Sequence, residues 1–379
     1  MAAATLKHRL KLVLREVWAR LLWHTPLWRI TDRLAAPRLV ILAGHALAGA
    51  TSRVAAPSGA TSRGAASKGA VGVLSGEMAV EPAFLGRLVA ALKRRHAFHT
   101  VSGALAALEA AAPGTRRGLV ALSFDDGYRD NAAQLPGLLA SWEVPATVYL
   151  ESRPLEADGR RRPNWYHRLA WLERRLGPGA VARRLADLEG MVAVAAHFAD
   201  GHDAAPGELK RVLKYDEAPG AVEAGLDQLF EAQGGDAGAL AAELYMDWSG
   251  ARALAAAGVE LGGHTVSHPV LARLSPRECE REAREGLERI RAEVPGAQVR
   301  SFAYPFGRRW DWNADSAAAV ARAGFLNAVT THAGANLRGT EALALKRWAL
   351  SPETRPHLIA AEACGGFECL RKLGLDLAE

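Results

Sequence analysis

The chain has 379 residues, is 49% hydrophobic, and carries 47 Lys and Arg against 41 Asp and Glu, a net charge of +6 with a pI near 9.4. That length fits one large α/β domain with insertions or two ordinary domains, and the basic excess includes no long basic run with interleaved aromatics, so a solvated surface is expected and no nucleic-acid partner. The three cysteines, Cys279, Cys364 and Cys369, lack C-x-x-C spacing and suggest neither a disulfide framework nor a thiolate zinc site, which fits a reducing, cytoplasmic compartment.

Residues 1–36 read as a basic amphipathic segment. Arg15, Arg20, His24 and Arg29 interrupt every apolar stretch, so neither a cleavable leader nor a membrane span is expected. Leu10, Leu14, Val17, Trp18, Leu21 and Leu22 recur at helical spacing, with Lys7, Lys11, Arg15 and Arg20 elsewhere. A helix docked on its own domain is the simpler expectation, and peripheral contact with an anionic membrane surface is the alternative.

Over residues 37–352, short apolar β-rich runs alternate with helical patterns, as in a sheet or barrel of βα units. The strands are expected at Arg38–Ala43, Leu119–Phe124, Ala146–Leu150, Val259–Leu261, Val299–Tyr304, Leu326–Thr330 and Leu343–Trp348. A Ser/Gly/Ala-rich stretch, residues 50–70, cannot bury a core and is expected to be flexible; an amphipathic helix around Phe84, Leu85, Leu88, Val89 and Leu92 follows it. Residues 153–242 lack a convincing strand and read as a helical insertion, with helices near 165–175, 180–188 and 221–230. Ser275, Pro276 and Glu278 spell an N-cap, a first-turn proline and a capping box for the helix beyond. Residues 353–379 are expected to be a helical tail.

Three stretches carry chemistry. The strand ending in Ser123-Phe124-Asp125-Asp126-Gly127 places two adjacent acids at its C-terminal end, where they repel unless a cation or a shared proton separates their roles. In a barrel of parallel strands this end is the catalytic face, although Asp-Asp-Gly is also good turn material. His264 and His268, in Gly263-His264-Thr265-Val266-Ser267-His268, have the i, i+4 spacing that lets two imidazoles share a face of a helical turn and hold one divalent ion with a carboxylate. Alone this pairing is weakly specific. The third stretch, Ser301-Phe302-Ala303-Tyr304-Pro305-Phe306-Gly307, runs a strand into a turn that could aim the backbone N–H of Phe306 at an oxyanion.

Taken in order, S-F-D-D-G-Y, H-T-V-S-H and F-A-Y-P-F-G resemble the polysaccharide deacetylase family, carbohydrate esterase family 4 with its NodB homology domain, over about residues 38–350. The resemblance implies a distorted (β/α) barrel and metal-dependent, usually zinc-dependent, hydrolysis of N-acetyl groups on an amino-sugar polysaccharide or its precursor. Carried over by motif, Asp125 matches the general base, Asp126, His264 and His268 the metal ligands, and Phe306 the oxyanion-facing amide. Two positions depart from the common pattern. Ala303 stands where many members have an Arg that orients the base, and Leu345-Lys346-Arg347 stands where they have Leu-x-His with a catalytic acid. The F-A-Y-P-F-G form resembles the branch associated with exopolysaccharide synthesis. An Arg cannot serve as a general acid, so Arg347 is expected to hold Asp125 or to stabilise the oxyanion, with His332 or Asp125 protonating the amine. A glycan- or metal-binding protein that has lost catalysis, and an amidohydrolase of the same fold acting on a non-sugar amide, are the alternatives.

Overall fold

The computed structural model describes residues 2–48, 78–111, 118–157, 159–351 and 353–372, so the stretch 50–70 lies outside the described residues. Two helices open the chain, α1 (Ala2–His24) and α2 (Trp28–Leu34). Then come β1 (Arg38–Gly44), β2 (Ala46–Leu47), β3 (Ala79–Val80), α3 (Pro82–Lys93), β4 (Ala97–His99), α4 (Val101–Ala110), β5 (Leu119–Phe124), α5 (Arg129–Trp142) and β6 (Thr147–Leu150). Six helices follow without a strand among the described residues: α6 (Trp165–Leu176), α7 (Pro178–Ala186), α8 (Val192–His197), α9 (Glu208–Tyr215), α10 (Pro219–Ala232) and α11 (Ala237–Leu244). The βα rhythm resumes with α12 (Trp248–Ala256), β7 (Glu260–Gly263), α13 (Pro276–Glu293), β8 (Ser301–Ala303), α14 (Ala314–Ala323), β9 (Asn327–Val329), β10 (Asn336–Leu337) and β11 (Arg347–Ala349), and α15 (Pro356–Ala363) and α16 (Gly366–Lys372) close the described chain.

Strands β1, β5, β6, β7, β8 and β9 pair in parallel in that order, β4 adds beside β5, and β10 runs antiparallel on β1. One segment joins the two edges of this sheet. Leu345 bridges Val329 in parallel, and two residues later β11 pairs in parallel with Ile41–Ala43 of β1. The result is the distorted (β/α) barrel expected from the motifs. Every residue of β1 is buried because side chains alternate between two apolar layers. Leu39, Ile41, Ala121, Tyr149, Ala303 and Val329 fill the barrel interior. Val40, Leu42, Val120 and Leu122 point outward against helical residues such as Leu88, Leu135, Leu254, Leu287 and Val320. The capping box of α13 is present: Ser275 Oγ accepts from the Glu278 N–H and Glu278 accepts from the Ser275 N–H, worth about 1 kcal/mol at a helix start.

The six-helix segment has its own core, built on residues such as Leu169, Val181, Leu213, Leu226 and Phe230 and continued toward the barrel by Tyr128 and Tyr245. Arg168, wholly buried on α6, is neutralised by Glu223 and Asp227 of α10. The N-terminal helix departs from the sequence expectation. Its apolar residues do not share one docked face: Trp18 and Leu22 pack with Ala19 on Ala361, Cys364 and Phe367, while Leu10, Leu14, Val17 and Leu21 are exposed. Adjacent residues on a helix point about 100° apart, so two such stripes coexist on one helix. Among the described residues no helix is long and apolar enough to cross a membrane.

Candidate active site

The parallel register brings the finishing ends of β1, β5, β7 and β8 together, and the residues that follow each strand converge there. Asp125 continues β5, its N–H donating to the Gly44 carbonyl (3.0 Å). Asp126 turns sharply away with φ +72°, and Gly127 follows at φ +74°. The positive φ at Asp126 is what sends two adjacent carboxylates to different partners. Four of the five non-glycine residues with positive φ among those described are Asp126, Thr265, His268 and Phe306, all in this region. Each costs about 1–3 kcal/mol, a cost that the surrounding packing has to offset and that marks the loops as shaped for a task.

The two glycines that end β7 let the neighbours in. A β-carbon at Gly262 would stand 2.4 Å from the Tyr149 ring and 2.8 Å from the Ser301 carbonyl, and one at Gly263 would stand 2.4 Å from the Phe325 ring. The His-x-x-x-His stretch is not the helical turn anticipated above. Positive φ at Thr265 and His268 makes it an irregular loop, which Glu282 of α13 clamps by accepting from the N–H groups of Val266 and Ser267 (3.0 Å each) and from Ser267 Oγ (2.8 Å). His268 N–H donates to Thr265 Oγ1 (2.9 Å). Both imidazoles still reach Asp126.

His264 Nδ1 lies 2.7 Å from the Ala303 carbonyl oxygen, an acceptor, so this nitrogen carries a hydrogen and Nε2 faces inward. Burial opposes a charge on the ring, but the close Asp126 carboxylate and the charge of Asp125 outweigh it and hold its pKa above the ordinary value, so a metal ion would take the place of the Nε2 proton. That Nε2 is 3.1 Å from Asp126 Oδ1, and His268 Nε2 is 3.5 Å from the same oxygen. Asp126 Oδ1 is buried without a hydrogen-bond partner, and the three donor atoms lie within 4.8 Å of one another. Two imidazole lone pairs and a carboxylate oxygen aimed at one point suit a divalent cation, and tetrahedral zinc with bonds of about 2.0–2.1 Å sets its donors roughly 3.3 Å apart. Burial opposes the charge on Asp126, yet the imidazoles hold its carboxyl well below the ordinary range. Burial, and then the neighbouring His264, push His268 down to about 3, leaving a neutral ring.

Asp125 and Arg347 meet in a paired contact, Nη1 to Oδ1 and Nη2 to Oδ2, both at 2.7 Å. Arg347 Nε also donates to the Thr330 carbonyl (2.8 Å). Arg347 opens β11, which closes the barrel between β9 and β1, so its guanidinium reaches the carboxylate from the next strand but one to the strand that carries Ala303. Burial opposes ionisation of Asp125, but the charge and hydrogen bonds of Arg347 outweigh it and its pKa falls below the usual value. A cavity of about 80 Å³ opens over these groups and is lined by Asp125, Asp126, His264, His268 and Phe306. Phe306 lies edge-on to His268, ring centres 4.6 Å apart, and Lys214 Nζ stands 3.8 Å from its ring centre. The His332 side chain does not line the cavity, although its neighbour Thr331 does; its ring stands beside Trp312 (6.3 Å between ring centres), and its carbonyl accepts from the Arg347 N–H (2.8 Å).

Three further ionisable groups in the cavity escaped the sequence reading. His45, just past β1, faces the same space. Tyr166 and Lys210 come from the helical insertion, and the Tyr166 O–H donates to Asp126 Oδ2 (3.0 Å), leaving Oδ1 to the imidazoles. Tyr128 extends the network, its hydroxyl 2.9 Å from His167 Nε2. A Tyr, Asp or His pattern around residue 128 or 166 carries no local signal of this meeting; only the packing of α6 against the barrel creates it.

A family model described as polysaccharide deacetylase matches residues 112–328. Among solved structures the fold is similar to IcaB from Ammonifex degensii, at 17% identity over 86% of this chain and 97% of that one, with a TM-score of 0.50. It is similar also to a de-N-acetylase from Aggregatibacter actinomycetemcomitans, at 12% identity over 84% of this chain and 97% of that one, again with a TM-score of 0.50. No curated protein matches the sequence. His45 and Arg347 both fall outside the segment that the family model matches.

Proposed function

The chain belongs to the polysaccharide deacetylase family, a family of hydrolases acting on amide C–N bonds, and we propose that it removes N-acetyl groups from an amino-sugar polysaccharide or its precursor in a metal-dependent reaction. The observation that carries this reading is the convergence of Asp126, His264 and His268 on one point, beside a second carboxylate that is held separately by Arg347. Asp126 Oδ1, His264 Nε2 and His268 Nε2 are the atoms that would hold the ion, and the two-nitrogen, one-oxygen set fits zinc. A bound divalent ion polarises the acetyl carbonyl and brings the pKa of its water toward ~7.

The chain's own residues do the rest. Asp125, fixed at both oxygens by Arg347, takes the proton of the attacking water as the water oxygen bonds to the acetyl carbon. Phe306, at the cavity wall with φ +60°, supplies the backbone N–H for the developing oxyanion. When the C–N bond breaks, the sugar nitrogen must gain a proton. Arg347 cannot give one, and His332 does not line the cavity, so the donor is His45 or the newly protonated Asp125. The products are acetate and a free amine. Because Arg347 grips the base where Ala303 offers no cation, the geometry favours an active enzyme over a binding-only relative.

The test is acetate release from a panel of N-acetylated glycans with zinc, cobalt, manganese or chelator. Acetate release that stops on chelation and returns with metal is expected. Release that persists after complete metal removal would overturn metal dependence, and release only from non-sugar amides would reassign the substrate.

A further inference from the structure

The helical insertion holds a second group of converging donors, away from the cavity: His197, His202 and Glu208. His197 is the last residue of α8, Glu208 the first of α9, and His202 lies in the loop between them. The loop folds back so that His197 Nε2 lies 2.9 Å and His202 Nε2 3.4 Å from the same oxygen, Glu208 Oε1, with all three ligand atoms within 4.8 Å of one another. These spacings bracket the roughly 3.3 Å edge of a tetrahedral zinc site with bonds of about 2.0–2.1 Å. They also repeat the 3.1 and 3.5 Å found around Asp126.

The outer contacts are those of a prepared site. His202 Nδ1 lies 2.5 Å from Asp200 Oδ1, an acceptor only, so Nδ1 carries the hydrogen and fixes the tautomer. Nε2 is thereby turned on Glu208 Oε1, the oxygen that also faces His197 Nε2, so two imidazole nitrogens and one carboxylate oxygen converge. Glu208 Oε2 is occupied by the Ala205 N–H (2.8 Å), which leaves Oε1 for the imidazoles. The side chains of His197, His202 and Glu208 are 31%, 38% and 25% exposed, so an ion would have access from solvent.

We propose that His197, His202 and Glu208 form a second divalent-metal site, of zinc type, with Asp200 orienting His202. Its role is to pin the loop between α8 and α9. From α9, Lys210 reaches the cavity and Lys214 stands over Phe306, so an ion at the start of this helix stiffens the wall of the active site without touching the reacting groups.

The experiment is zinc stoichiometry on the full chain, stripped with chelator and dialysed against zinc alone. Wild type is expected to hold two ions per chain, one for each group of donors. His197→Ala/His202→Ala should hold one, and so should His264→Ala/His268→Ala. Zinc content in His197→Ala/His202→Ala equal to wild type overturns the proposal, as does none at all in a folded His264→Ala/His268→Ala protein. Loss of an ion only from the first variant would instead leave this site standing and remove the active-site reading. His202 is exposed and His197 half-buried, so the fold of the first variant is checked by circular dichroism alongside its zinc content.

Discussion

Replacing Arg347 by Met removes the only partner that meets both oxygens of Asp125 among the described contacts, and leaves a carboxylate that is 3% exposed without its counter-charge. Breaking one side of a buried ion pair costs about 3–5 kcal/mol, because the remaining charge stays desolvated. Removing both charges together leaves nothing unpaired and costs much less. The double variant Asp125→Asn/Arg347→Met is therefore expected to be more stable than Arg347→Met, with a coupling energy of about 2–3 kcal/mol measured by urea denaturation of the metal-free proteins. On activity the order reverses. General-base catalysis supplies roughly 10²–10⁴-fold, and a base that has lost both bonds aiming it forfeits much of that, so kcat/KM of Arg347→Met should fall by about 10²-fold. Arg347→Lys keeps the charge but not the planar fork and should fall between the two. If Arg347→Met, with its metal content checked, keeps kcat/KM within a few-fold of wild type, Arg347 does not position the base and the reasoning fails.

Tyr166→Phe deletes the O–H that holds Asp126 Oδ2 while keeping the ring, and is expected to weaken metal affinity about 10–100-fold in a chelator-competition assay; an unchanged affinity would reduce Tyr166 to packing. His45→Gln should lower kcat by about 10²-fold with metal content unchanged, and His332→Ala should stay within a few-fold of wild type, measured as initial rates of acetate release. The opposite ranking would make His332 the proton donor.

What could be read from the sequence follows how local each signal is. Asp125-Asp126-Gly127 announces both a strand end and a division of labour, and the structure realises it through one backbone angle at Asp126. The barrel strands were legible because β1 and β5 are continuous apolar runs, whereas β4 (Ala97–His99) and β10 (Asn336–Leu337) are too short to show any period. The run Leu343–Trp348 misled in part: residues 342–344 form a 3₁₀ turn, and the strand begins only at Arg347. The pairing of Arg347 with Asp125 was reachable as an argument about a missing cation, since a buried carboxylate needs a partner from somewhere. His45, Tyr166, Lys210 and Glu282 were not reachable. Each meets the site through tertiary packing across many residues, and a lone His or Tyr in an apolar context reads the same whether it fills a core or lines a cavity.

The N-terminal segment carries the last prediction. In residues 1–36 seven Lys and Arg face two acids, so five of the chain's six net positive charges fall in its first tenth. The helix α1 is held by one face only: Trp18 Nε1 donates to the Gly366 carbonyl (3.1 Å), Leu22 packs in the cluster with Phe367, and Glu16 pairs with Arg355 and His357. Its other face presents Leu10, Val13, Leu14, Val17 and Leu21, each 40–58% exposed and spaced to form one stripe. An aliphatic stripe beside a concentration of positive charge is complementary to an anionic bilayer, where each nearby Lys or Arg contributes about 1 kcal/mol in addition to apolar burial. Helix α15, on which α1 rests, runs along the outer layer of the barrel, where Ile359, Ala360 and Ala363 join the cluster of Val40 and Leu42; α1 meets its start through Glu16 with Arg355 and His357, and the turn beyond its end through Trp18 with Gly366. The chain is expected to float with phosphatidylserine-containing vesicles at low salt, less at high salt, and weakly with phosphatidylcholine alone. Leu14→Asp/Val17→Asp, at exposed positions, should abolish flotation and leave acetate release from soluble substrate unchanged. Flotation that survives this double substitution, or a wild-type chain that self-associates through the stripe and does not float, would show that α1 meets something other than a bilayer.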